Sequence, residues 1–445
     1  MRSVIGAAVL AIALPFGAWA QTDQPDRPIP LTLDEAIRRG LETSHRLAEA
    51  AARGEVAEAV ADQRHAAALP QIAAQAGYTR TNHVQEFGVL LPNNQLRIIY
   101  PDVPDNYRTR LDAQWPLYTG GRLAALERAA RSEAAASSID LDAVRADLRL
   151  EITRAYWTLV TAAETSRVVD ESLERTGEHL RDVRNQLAAG LVAPNEVLNV
   201  EAQQSRQRML SIQARANRDV TEAELGRLVG EAPGARIEPV TALEAPAALD
   251  ATVASLIETA RQARPERAAL LKRLDGANER GNAAARATRP TIAVAGGFDY
   301  ARPNPRIFPR EEKWAESWDA SVNVNWPLFD GGRSRAEVAE TAASTRALQA
   351  RLAEFDAVLD VELRQRLSEI ESSRAAIAAA DDAVRAATEA RRVAGERFSA
   401  GVATSTDVLD AQVAVLQAAL DRTQAVANAR FAEARLARAL GRPGL

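Results

Sequence analysis

Asp407 and Asp410 stand three residues apart at the start of the chain's last helical pattern, so their carboxylates share one helix face. Acids grouped in this way attract cations, and multivalent ones most strongly when further copies add to the field. An acid in a first helical turn also complements the macrodipole, a role that suits Asp407 and Glu196 better than the deeper Asp410. Little else in the chain could do chemistry. The four histidines, His45, His65, His83 and His179, are far apart with no His-x-x-x-His, and there is no cysteine to help them hold a metal. They read as ordinary surface or interface residues. No phosphate-binding lysine loop, Gly-x-Ser-x-Gly elbow or dinucleotide fingerprint occurs. The remaining acids belong to the solvated faces of Glu/Arg-rich helices. The expectation is a protein that is not an enzyme and takes no cofactor and no metal.

The elements that must position these acids come in two sets. Trp115-Pro116-Leu117-Tyr118-Thr119-Gly120-Gly121-Arg122 returns as Trp326-Pro327-Leu328-Phe329-Asp330-Gly331-Gly332-Arg333, an offset of 211 residues. The same offset links Glu196 to Asp407 and Ala189-Gly190-Leu191-Val192 to Ala400-Gly401-Val402-Ala403. Upstream the offset is 220, since Pro70-Gln71-Ile72 matches Pro290-Thr291-Ile292. Fixed spacing on both sides of one variable patch, between Tyr78 and Trp115, is how a duplicated unit with one altered loop reads.

Net charge is -5 with 26% charged residues, so there is no basic field for nucleic acid. Residues 1–20 carry Arg2, an apolar run from Val4 to Phe16 and Ala18-Trp19-Ala20, the pattern of a secretory signal with its cleavage site. No later segment has about 18 consecutive apolar residues, so a membrane crossing would have to use β-strands.

Residues 21–30 are too polar and proline-rich to order themselves and read as a disordered tail. The first repeat, 31–230, has helical pattern over 32–69, strands over 71–80 and 107–117, a long helix over 120–189 and a further helix over 194–228. Thr32 and Glu35 form a capping-box signature at its start, and Ser44 marks a break. An irregular linker, 231–250, leads to the second repeat, 251–441, with helices over 251–288, strands over 291–302 and 315–328, a long helix over 331–400 and a last helix over 404–440. Each strand alternates an apolar with a polar face, as in Tyr107, Thr109, Leu111, Ala113 and Trp115 against Arg108, Arg110, Asp112 and Gln114. Such alternation over about 10 residues matches a transmembrane β-barrel. The long helices carry heptad steps, Leu173-Leu180-Leu187 in one and Leu363-Ile370-Ile377-Val384 in the other. Proline stands at all four helix/strand junctions: Pro70, Pro116, Pro290 and Pro327.

A signal segment, a duplicated helix-strand-strand-helix unit, junction prolines and two very long helices together resemble the TolC family of outer-membrane efflux and secretion ducts. The likeness covers roughly Leu31 to Gly441, and Gly401-Val402-Ala403-Thr404-Ser405-Thr406-Asp407-Val408-Leu409-Asp410 resembles the family's final inter-helix turn. It implies a mainly α fold with a transmembrane β-barrel. Four strands from each chain of a homotrimer would make a twelve-stranded barrel in outer-membrane lipid, above a long periplasmic α-helical barrel. The implied partners are a periplasmic adaptor and an inner-membrane pump. Asp407 and Asp410, with Glu196 and Phe398, would surround the periplasmic aperture, and Gly190, Leu191, Val192, Gly401, Val402 and Ala403 would form the tips that meet the adaptor. The chain departs from the pattern at Phe398, often a tyrosine, at Ala403, where the best-known member has an arginine, and in having alanine before each tip glycine. A periplasmic coiled-coil adaptor or a structural helical-hairpin protein would share the signal and heptads, but neither calls for four alternating strands with Trp and Tyr near their ends. Aromatic residues at both strand ends match two membrane girdles, and with the resemblance this leads to the expectation that residues 81–105 and 303–315 are extracellular loops. Met209 is the one methionine after the signal, which disfavours a thioether relay for soft metal ions. Drugs, other metal ions and secreted polypeptides remain open as cargo.

Overall fold

The computed structural model describes residues 28–247 and 252–442. The signal expected over 1–20 and most of the expected tail lie outside the described residues. In chain order the elements are β1 (Ile29–Leu31), α1 (Leu33–Thr43), α2 (His45–Ala66), β2 (Gln71–Arg80), β3 (Phe87–Leu90), β4 (Leu96–Tyr100), β5 (Asp105–Tyr118), α3 (Arg122–Ala188), α4 (Pro194–Val229), β6 (Ile237–Pro239), α5 (Val253–Ala263), α6 (Pro265–Ala285), β7 (Thr291–Arg302), β8 (Ala315–Asn325), α7 (Arg333–Ser399) and α8 (Ser405–Ala439).

Proline-free runs of 67 residues make α3 and α7 each about 100 Å long at 1.5 Å per residue. Each begins at a Gly-Gly pair, Gly120-Gly121 or Gly331-Gly332, with all four φ angles between 63° and 89°. That left-handed turn carries the chain from strand into helix, and a Cβ would strain it.

α3 is the spine of the helical part and packs against α2, α4, α6 and α8. Leu148, Ile152, Tyr156 and Leu159 meet Leu225, Val229 and Ile37 in its largest core cluster. A second cluster joins Leu359, Leu363 and Ile370 of α7 to Leu436 and Leu440 at the end of the last hairpin and to Leu256 of α5. Each fully buried side chain of this size stabilises the fold by about 1.5–3 kcal/mol.

Several boundaries differ from the sequence reading. The 32–69 pattern is two helices, because Ser44 ends α1 and its side chain caps α2, accepting from Leu47 N at 3.3 Å. The 251–288 pattern also splits, where Arg264 turns extended ahead of Pro265 at the first position of α6. Thr32 accepts from Glu35 N at 3.2 Å, but the Glu35 carboxylate binds Arg38 and Arg39, so only half of the expected capping box forms. The tail and the linker are not wholly irregular, since β1 and β6 pair in parallel and Tyr156 Oη donates to Leu31 O at 2.9 Å beneath them. β8 stops at Asn325, short of residue 328, and the 81–105 connection contains the β3–β4 hairpin.

β2, β5, β7 and β8 form one antiparallel sheet in that order. Pro70 and Pro290 each stand one residue before a strand, and Pro327 lies two past one. Pro116 is inside β5. That position is tolerable because the pairing with β2 ends at Gln114, and the pairing with β7 becomes irregular between Pro116 and Tyr118.

Candidate functional site

The two long hairpins end in the same backbone motif. Gly190, at φ 76°, and Gly401, at φ 74°, follow the last residues of α3 and α7. At the first tip Leu191 N donates to Gln186 O and Gly190 N to Leu187 O, both at 2.9 Å. At the second, Val402 N donates to Arg397 O at 2.9 Å and Gly401 N to Phe398 O at 3.0 Å. These are Schellman closures, in which the residue after the glycine normally packs on an apolar side chain one turn back. Here that position holds Gln186 or Arg397, and Leu191 and Val402 stay 74% and 63% exposed. Val192 and Ala403 turn the other way and pack half-buried onto the core behind the tips.

That core draws on all four helices: Leu180 and Val183 of α3, Val197 and Val200 of α4, Phe398 of α7, and Val408 and Leu409 of α8. The two tips are therefore one packed body. His179 belongs to it and is a buried residue, contrary to its reading as a surface or interface histidine. Its Nε2 lies 2.8 Å from Ser405 Oγ, and its ring meets the Phe398 ring edge-on at 5.2 Å. Burial pushes the His179 pKa below its ordinary value. Deeper in, the Thr176 hydroxyl lies 2.6 Å from Gln207 Oε1 and 3.2 Å from Gln412 Oε1, so a buried polar layer joins α3, α4 and α8.

The acids at the two tips have different surroundings. Asp407 closes a capping box with Thr404: its Oδ2 accepts from Thr404 N at 2.8 Å and from Thr404 Oγ1 at 2.9 Å, and Asp407 N donates to Thr404 Oγ1 at 3.3 Å. The Thr404 backbone and side-chain hydrogen bonds hold the Asp407 carboxyl below its ordinary pKa. Asp410, one turn on, is exposed. Glu196 begins α4, where the cap residue is Ala193 and Pro194 leads the helix; its Oε2 is buried without a hydrogen-bond partner. Phe398 does not join these acids on an open face, because its ring fills the core between the tips. The His179–Ser405 contact escaped sequence reasoning, since its partners are 226 residues apart.

At the far end of the chain the sheet presents two unlike faces. Residues directly opposite on the four strands form rows, and Ala74, Leu111, Phe298 and Trp318 make one of them. This apolar face is bare, with Trp318 75% and Ile72 72% exposed. The other face carries the row Gln75, Arg110, Asp299 and Ser317. There Asp299 is bound by Arg108 at 2.6 Å and by Arg110, which also reaches Asp112 at 2.6 Å and Asp319 at 3.2 Å. Tyr78, Tyr107, Tyr300 and Trp314 cluster at the end of the sheet away from the helices, with ring centroids 5.0–6.0 Å apart. Among the described residues no helix is long and apolar enough to cross a membrane, and no group of three or more His, Cys, Asp or Glu is placed to hold a metal ion.

A family model described as outer membrane efflux protein matches residues 36–231 and 256–442. Protein CyaE of Bordetella pertussis is 25% identical over 428 residues, which are 93% of this chain and 86% of that protein. Outer membrane protein TolC of Vibrio cholerae is 26% identical over 412 residues, 90% of this chain and 87% of that one. Among solved structures, the outer membrane protein VceC of Vibrio cholerae has the same fold, with a TM-score of 0.75 at 21% identity over 92% of this chain and 96% of that chain.

Proposed function

The chain belongs to the outer membrane efflux protein family, it is an outer-membrane efflux or secretion duct with a periplasmic helical extension, and from that premise we propose that three copies close a single barrel over a single helical tunnel. Family and fold are those of passive outer-membrane channels.

The observation that carries the closure is the sheet. It has four strands, an apolar face open along its length, and one unpaired edge on each of β2 and β8. In hydrocarbon every unpaired edge group costs several kcal/mol, and the smallest single-chain barrels need about eight strands. Three copies supply twelve, with β8 of one pairing with β2 of the next. Lipid then covers the Leu111–Phe298–Trp318 face, and the Arg110–Asp299 face lines the lumen. The residues 81–104 and 303–314, at the sheet end away from the helices, lie outside the cell.

At the other end the two tips dock a periplasmic adaptor through Leu191 and Val402, and the adaptor links the duct to an inner-membrane pump. Glu196, Asp407 and Asp410 of three chains surround the periplasmic aperture and favour cations there. Native mass measurement of the detergent-extracted protein tests the closure: three chains are expected, and a monomer that conducts in planar bilayers would contradict it.

A further inference from the structure

We propose that the outer mouth of this duct has a lid of its own, made of the 303–314 connection and the β3–β4 hairpin; this rests on the reading that the sheet's polar face lines the lumen. The first residues of the connection, Pro303 to Arg306, turn back over that face, while Phe308 and residues 311–314 are exposed and Trp314 stacks on Tyr300. Asn304 is 3% exposed, and its Nδ2 donates to Ala315 O and to Ser317 Oγ, both at 3.0 Å. Arg306 donates to Trp318 O at 2.9 Å and to Asp319 Oδ1 at 2.5 Å. A cavity of about 440 Å³ elsewhere in the chain lies among helices, but the one here, about 280 Å³, has Pro303, Pro305 and Arg310 on one side and Gln75, Arg108 and Arg110 of the polar face on the other. The loop therefore roofs the lumenal side of the sheet.

Arg310 ties the hairpin to this roof. Its guanidinium sits 5.4 Å from the Tyr100 ring centre, and Nη1 donates to Tyr100 Oη at 3.1 Å. The hairpin's base is fixed independently, by Thr81 N to Pro104 O at 2.8 Å, His83 Nδ1 to Asp102 Oδ2 at 2.7 Å and Val84 N to Asp102 Oδ1 at 3.0 Å. Beyond that base the hairpin exposes Phe87, Val89, Leu90, Leu96 and Ile98, yet turns through the polar pair Asn93-Asn94. An isolated two-stranded hairpin is marginal in water. Clamped towards the lumen in each of three chains, the apolar hairpins face one another over the mouth, and the occupant of each bare face is the hairpin of a second copy. The second repeat has no such hairpin, so its excision leaves a connection of the kind the fold already uses between β7 and β8.

The chain has no cysteine, so one introduced thiol reports unambiguously. In Asn323→Cys the thiol lies on the polar face of β8, below the lid. Intact cells are treated with a small membrane-impermeant maleimide or with a maleimide on a large poly(ethylene glycol). The small reagent is expected to label and the large one to be excluded. Adding Arg310→Ala raises labelling by the large reagent roughly tenfold, the scale of losing a hydrogen bond to a charged group. Replacing residues 86–101 with a short Gly-Ser turn raises it further, with the three-chain mass unchanged. The lid is refuted if the large reagent labels Asn323→Cys as fast as it labels Asn94→Cys at the hairpin turn, or if neither lid variant changes its rate. A thiol at Val322→Cys separates the lid from the barrel: on the apolar face it should resist both reagents, and labelling equal to that of Asn323→Cys would overturn the lumenal assignment itself.

Discussion

α3 and α7 are equally long and follow the same repeated pattern, but they live in different surroundings. Leu148 and Ile152 of α3 are buried, and so are Leu359 and Leu363, which stand 211 residues later on α7. Nearer the sheet the likeness ends. Ala125, Ala129 and Ala136 are buried on α3, whereas the matching Ala336, Glu340 and Ala347 of α7 are exposed. The cause is the company each helix keeps. α2 and α6 both pack on α3, and Gly276 of α6 comes so close that an added Cβ would lie 3.2 Å from Ala129 O. α7 has α6 on one side, as α3 has α2, and nothing among the described residues in the place that α6 takes on α3. One sequence pattern can thus build the spine of a chain or a face that its own chain leaves bare.

Ala136→Glu and Ala347→Glu separate these roles most sharply. A charge forced into the packed face of α3 costs several kcal/mol, so Ala136→Glu should yield no protease-resistant chain. Ala347→Glu should fold and keep its helix content but lose the three-chain species on native gels. Equal trimer yield from Ala347→Glu and the parent would remove the bare face of α7 from the subunit seam.

At the tips the expected effect is on transport rather than on folding. Leu191→Asp or Val402→Asp should reduce export to background while trimers remain in the outer membrane, because these side chains touch little of their own chain. Export at the parent level in both variants would free the tips from any docking role.

The histidine between the hairpins makes their packing depend on pH. Burial sets the folded pKa of His179 below 6.5, so the unfolded ring takes up its proton first as pH falls. Its contribution to tip stability is full above about 6.5 and is lost as pH falls below that value towards the folded pKa. Hydrogen exchange of residues 176–190 and 400–412 should speed up across that window in the parent and not in His179→Leu. A parent that exchanges alike on both sides of the window would contradict this.

The smallest effect contrasts the two helix starts. Thr404→Ala removes the side-chain cap of α8 and should cost about 1 kcal/mol, read as faster exchange in its first turn. Ala193 already has cap geometry, at φ -82° and ψ 153°, so Ala193→Thr should slow exchange at the start of α4. No change at either site would leave Pro194 and the core behind the tips as sufficient anchors.

Long periodic elements were legible in the sequence because their signal repeats many times. Heptad steps such as Leu363-Ile370-Ile377 mark buried positions, and alternation from Tyr107 to Trp115 separates the two faces of β5. Short or distant features were not. β1 and β6 have three residues each, contain prolines, and are held by a pairing about 208 positions apart in the chain. The β3–β4 hairpin hides in an apolar run, Phe87 to Tyr100, that does not alternate. At the tips the glycines and the Thr404–Asp407 cap announce themselves locally, but nothing near Phe398 tells that its ring turns inward onto His179.

Pairing of β8 with β2 of the next chain is tested most directly by cysteines placed in pairs, one along residues 71–80 and one along 315–325, in the otherwise cysteine-free protein. Closure by three copies predicts that at one register oxidation joins the edges between chains and yields a covalent species of three chains on a denaturing gel. Disulfides formed only within single chains, or none between chains at any register, would contradict it.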